Sequence, residues 1–190
     1  MTRADPGGTP GGTGFEGPAF PARDDPVRFW SRRAPERVGL EVPARDRRLS
    51  YRAMDEAADR WAAWLAARGV EAGDRVAALA GNRVEQIHLF HACGRIGAVL
   101  TPLNWRLAPA ELDGILEDAD PALLLGEERF REAAEGADAG AAWHEIGSVE
   151  LPEAPGSGPR SGIGREGDER GRGGPDQPRL LLYTSGTTGR

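Results

Sequence analysis

The residues best suited to chemistry lie together at one end of the sequence. Thr184-Ser185-Gly186-Thr187-Thr188-Gly189 sets four hydroxyls and two glycines in a row, directly after the apolar run Leu180 to Tyr183. Glycine lets the backbone curl until successive N–H groups converge, and Ser and Thr hydroxyls add donors to the same concavity. Such a hollow suits the oxygens of a phosphate chain, which makes all six residues candidate phosphate ligands. A polar turn after a strand is the plain alternative, and Gly, Ser and Thr alone do not choose between the two. The common P-loop is excluded, because that motif places Lys and then Ser or Thr after its second glycine. Here Arg190 follows Gly189.

A phosphate loop needs a strand to deliver it and a sheet for that strand to join. Met54, Ala58, Trp61 and Leu65 recur at helical spacing after Leu49-Ser50-Tyr51, with Ser50 placed to cap the helix and Gly69-Val70 placed to end it. Gly73-Asp74 then turns the chain into Arg75 to Ala80, a short apolar run that reads as a buried strand. Asn82 and Glu85 stand three apart as a capping pair for a second helix, whose buried stripe would be Val84, Ile87, Phe90 and Gly94. Ile96 to Leu103 reads as the next strand, closed by Pro102 and Asn104. Pro109 suits the first position of a third helix, with Leu112, Ile115, Leu116 and Ala119 on its apolar face, and Pro121 ends it before a strand at Ala122 to Leu125. Strand and helix alternate, so the expected fold class is α/β with a largely parallel sheet.

Composition divides the 190 residues into four stretches. Residues 1–25 and 152–178 are rich in Gly, Pro and charge and cannot bury enough apolar surface to order themselves, so disorder is expected in the first and flexibility in the second. Residues 26–151 hold the α/β part, and 179–190 the strand and the start of the phosphate loop. A net charge of −6 argues against a nucleic-acid partner. All 24 basic residues are Arg. Cys93 is the single cysteine, so no internal disulfide is available. No leader pattern and no membrane-length apolar run is present, which makes a cytoplasmic location the expectation. His88 and His91 share a helix face, but no third ligand accompanies them and no metal site is expected. Gly162-Ile163-Gly164-Arg165-Glu166-Gly167 matches the dinucleotide fingerprint only as letters, with no strand before it, and the acids around Arg170-Gly171-Arg172 make that stretch a solvated linker.

The whole string Tyr183-Thr184-Ser185-Gly186-Thr187-Thr188-Gly189 resembles the signature loop of the adenylate-forming family, which includes acyl-CoA synthetases, luciferases and peptide-synthetase adenylation domains. Leu49-Ser50-Tyr51, Gly73-Asp74-Arg75-Val76 and Gly97 to Leu107 resemble other family segments in the same order, and Asn104-Trp105-Arg106-Leu107 favours the acyl-CoA synthetase branch. Trp105 is expected to pack at a domain surface and Arg106 to contact backbone. The resemblance implies the N-terminal part of the family's large domain. It also implies a two-step reaction, in which a carboxylate attacks the α-phosphate of ATP, with Mg2+, and coenzyme A then takes the acyl group. Thr184 through Gly189 would hold the β- and γ-phosphates. In the family the loop continues with Pro-Lys-Gly, and the adenine pocket, ribose-binding acid and C-terminal lid come later. No catalytic residue is therefore expected within residues 1–190, nor turnover from them alone. A domain that loads a carrier protein and a non-catalytic binding module are the alternatives. The carboxylate and the oligomeric state are not legible.

Overall fold

Helix α1 (Pro26–Arg33) starts where the Asp25 carboxylate accepts a hydrogen bond from the Val27 N–H at 2.9 Å, with Pro26 in the first turn, where a missing N–H costs nothing. The computed structural model describes residues 25–135, 140–153 and 178–184. An antiparallel hairpin follows, β1 (Val38–Val42) and β2 (Arg47–Ser50), turned by Pro43–Arg45 and by Asp46 at φ 45°. The Ser50 hydroxyl then accepts from the Ala53 N–H at 3.2 Å and opens α2 (Tyr51–Ala66), as its sequence suggests. Gly69, at φ 81°, ends that helix turn. Its N–H donates to Ala66 O at 3.0 Å, the Val70 N–H donates to Leu65 O at 3.2 Å, and Val70 is buried.

The main sheet comes from β3 (Arg75–Leu79), β4 (Val99–Leu103), β5 (Leu123–Gly126) and β6 (Ala142–Glu145). Its order is β4-β3-β5-β6 with every pair parallel. Helices α3 (Val84–Ile96) and α4 (Pro109–Ala119) make the crossovers, and a short α5 (Arg131–Glu135) precedes β6. Alternate residues of β3 feed two cores. Val76 and Ala78 join Trp61, Leu65, Leu89, Cys93 and Leu100, whereas Ala77 and Leu79 join Leu103, Leu112, Leu116 and Leu124. A strand covered on both faces must be apolar throughout, which is why Arg75 to Ala80 reads as one continuous run.

Three sequence expectations change. Asn82 and Glu85 do not form a capping pair: the residue at the α3 N-cap is Arg83, with no side-chain cap. The Glu85 carboxylate instead accepts two hydrogen bonds from the Arg83 guanidinium, at 3.1 and 3.3 Å, a charge-assisted pairing. Ile96 is the last residue of α3 rather than the start of a strand. Gly97, at φ 77°, closes the helix and the strand begins at Val99, so one apolar run contains a helix end, a turn and a strand. The buried stripe of α3 is also turned from its expected place. His88, Leu89, Ala92, Cys93, Arg95 and Ile96 are the buried residues, while Val84, Ile87 and Phe90 line a half-open groove of about 480 Å³ with Leu40, Val42 and Leu180.

Candidate nucleotide-binding site

Leu180 sits beside the free edge of β4. The Leu100 N–H donates to Arg179 O at 3.1 Å and the Leu181 N–H donates to Leu100 O at 2.9 Å, which makes one parallel rung, Leu100 to Leu180. The run 180–183 thus joins the sheet as its sequence requires, but by a single rung rather than as a full strand. Thr184 follows and is exposed. Of the six candidate phosphate ligands only Thr184 falls in the described part; Ser185, Gly186, Thr187, Thr188 and Gly189 lie outside the described residues, as do Gly162 to Gly167 and Arg170 to Arg172.

Ligands of parallel sheets bind beyond the carboxyl ends of the strands. Past β3 and β5, those ends are tied off by charge. The Gly81 N–H donates to Glu127 Oε1 at 2.7 Å, and Arg83 lies 3.8 Å and Arg129 3.1 Å from Glu127 Oε2. Burial pushes the Glu127 carboxyl up, but the Gly81 N–H and the two arginines more than offset this and hold it below its ordinary value. Beyond β4, Asn104 Oδ1 accepts from the Arg106 N–H at 3.1 Å and turns the chain toward α4. Trp105 is 42% exposed and stacks on Phe130, with ring centroids 5.7 Å apart. The Arg106 guanidinium stands over the Trp105 ring at 4.7 Å instead of on backbone, because an exposed aromatic face is the nearer partner for a cation.

The sequence reading missed the largest polar feature of the scaffold. Arg95 on α3 is 8% exposed. It donates to Asp25 at 2.9 and 2.7 Å, to Asp55 Oδ1 at 2.7 Å, to Asp59 Oδ1 at 2.7 Å and to the Asp55 carbonyl at 2.8 Å. Arg28 of α1 reaches Asp55 and Asp59 as well, and His91 Nδ1 lies 2.8 Å from Asp25 Oδ1. Burial alone would raise the Asp25 carboxyl; His91 and Arg95 reverse this and hold it well below the usual range. The cluster joins α1, α2 and α3. His88 is also buried, and burial pushes it down to about 4. Among the described residues no group of three His, Cys, Asp or Glu could hold a metal ion, and no helix is long and apolar enough to cross a membrane.

Residues 27–190 match the family described as AMP-binding enzyme, nearly the whole chain. This chain belongs to the AMP-binding enzyme family. Among curated members, the indoleacetate–CoA ligase of Aromatoleum aromaticum is 35% identical over 82% of this chain and 31% of its own length. A fatty acid–[acyl-carrier-protein] ligase of Streptomyces coeruleorubidus is 35% identical over 75% of this chain and 27% of its own. The structure of o-succinylbenzoate CoA synthetase from Bacillus subtilis, in complex with the acyl-adenylate intermediate OSB-AMP, superposes with a TM-score of 0.67 at 26% identity, covering 86% of this chain and 39% of that one. The chain thus spans about a third, or less, of the length of the curated relatives it matches. Its parallel sheet and flanking helices are those of the adenylate-forming enzymes.

Proposed function

We propose that this chain forms the N-terminal part of an AMP-forming carboxylate–CoA ligase, and that Thr184 through Gly189 grip the β- and γ-phosphates of ATP. The observation that carries the reading is the string Tyr183 to Gly189, fed by a segment that pairs with the edge of a parallel sheet of this family. In this reading a carboxylate oxygen attacks the α-phosphorus, the bond to the bridging oxygen breaks, and pyrophosphate leaves with the added negative charge. Hydroxyl and N–H donors fixed around the leaving oxygens stabilise that charge without a covalent link to the protein. Mg2+ belongs to the ATP as part of the substrate. The thiol of coenzyme A then attacks the acyl carbonyl and displaces AMP. The reaction is assigned to the cytoplasm, where ATP and coenzyme A are at hand.

A carrier-protein thiol is the second acceptor to consider, favoured by the 35% identity to the Streptomyces carrier-protein ligase. The test is carboxylate-dependent ATP–pyrophosphate exchange by the complete polypeptide that contains residues 1–190, followed by addition of coenzyme A or a pantetheinylated carrier protein. Ser185→Ala should lower exchange about a hundredfold. Exchange that no fatty or aromatic carboxylate stimulates, or that Ser185→Ala leaves intact, overturns the proposal.

A further inference from the structure

The segment that delivers the phosphate loop is held to the fold at very few points, and the reason lies in β4. Along β4 successive residues point their backbone groups to opposite sides. The Val99 N–H donates to Asp74 O at 2.8 Å, on the β3 side, and Leu100 bonds outward to Arg179 and Leu181. Pro102 is the next residue that faces outward, and proline has no N–H to give. The ladder to the loop-bearing segment therefore stops after its first rung. Two residues beyond Leu181 the chain is caught again. The Tyr183 hydroxyl donates to Asp118 Oδ2 at 2.6 Å.

Asp118 is itself in an unusual place. It lies in the last turn of α4, where the helix carries partial negative charge and where no basic residue of its own is present. Arg75, from the start of β3, supplies the missing donors by bonding the carbonyls of Ala119 and Asp120, each at 2.6 Å. Asp118 receives its donor from Tyr183. Burial, and then the hydrogen bond and charge of Asp118, push the Tyr183 phenol up to about 12, so it remains a donor through the neutral range.

We infer that Tyr183 and Asp118 act as a latch that positions the phosphate loop, standing in for the backbone rung that Pro102 denies. The inference rests on the reading of Thr184 to Gly189 as the ATP-binding loop. Neither residue touches the reacting atoms; both are positioning residues.

The experiment measures KM for ATP, KM for the carboxylate and kcat in the exchange reaction, together with Tm, for Tyr183→Phe, Asp118→Ala, the double variant and Ser185→Ala in the complete polypeptide. A latch predicts that each single variant raises KM for ATP about threefold to tenfold. The carboxylate KM and Tm should stay at the parent values, and the double variant should be no worse than either single one. If Ser185→Ala weakens exchange while Tyr183→Phe and Asp118→Ala keep the parent KM for ATP, the latch is wrong and the loop reading stands. Independent, additive effects of the two variants, or a drop in Tm with both KM values moving together, also overturn it. No effect from any variant, Ser185→Ala included, overturns the loop reading and the latch with it.

Discussion

Two regions of this molecule are held in opposite ways. Around Arg95, three helices are joined by two guanidinium groups, three carboxylates and His91, all inside or at the edge of the core. Among the described residues, the segment at 179–184 is hydrogen-bonded to the sheet and helices by one rung and one phenol. Over-determined contacts fix a scaffold in one arrangement, while few contacts leave a segment able to adjust to what it binds. The loop proposed to grip the phosphates follows this lightly held segment in the chain, whereas the ion cluster fixes the helices of the scaffold.

The sharpest way to break the contrast is Arg95→Met. That change takes the central cation from among Asp25, Asp55 and Asp59 and leaves buried carboxylates short of charge, which should cost about 3–5 kcal/mol. Thermal unfolding should show the loss directly, and a change under 1 kcal/mol would mean that the cluster is as dispensable as a surface pair.

A second comparison comes from pH. An unfolded His88 takes up a proton near pH 6.5, whereas the folded one, held down to about 4 by burial, refuses it. The unfolded state then binds more protons between these values, so stability should fall as pH drops from about 6.5 to 4, by about 3 kcal/mol at the lower end. Denaturant melts of the parent and of His88→Gln across this window test the point. The slope that belongs to His88 should disappear in the variant. Asp25 acts in the same direction at lower pH, since its depressed carboxyl stabilises the fold above its unfolded value and loses that contribution as acid protonates it.

The smallest effect belongs to the lightly held end. Leu181→Pro removes the N–H that closes the Leu100–Leu180 rung and should cost only about 1 kcal/mol in a denaturant melt. A loss as large as that of Arg95→Met would erase the distinction between the two regions.

What the sequence showed and what it hid follow from the range of the interactions. Ser50, Gly69-Val70 and Pro109 act within a few residues, and each helix boundary that they mark stands in the structure. The parallel sheet was legible because β3 is apolar on both faces. Glu85 was misread because its local partner could be Asn82 or Arg83, and only charge decides between them. The Arg95 cluster could not be seen, because its members run from Asp25 to Arg95 and no spacing rule links the acid that caps the first helix to an arginine on the third. Similarly, Pro102 was visible as a strand end, but its effect on the neighbouring strand needed the side to which its nitrogen points. For the loop itself the sequence remains the stronger witness, since the order of its residues carries the family signature.

Cys93 draws one more consequence from the doubly covered sheet. It lies on α3, fully buried in the core with Trp61 and Leu65 of α2 and Leu100 of β4, and burial pushes its thiol up to about 12. Disulfide reagents react with a thiolate that they can reach, and here both conditions fail in the closed core. Because it is the single cysteine, its rate of labelling counts the moments at which the core opens, giving the protein a built-in clock for its own breathing.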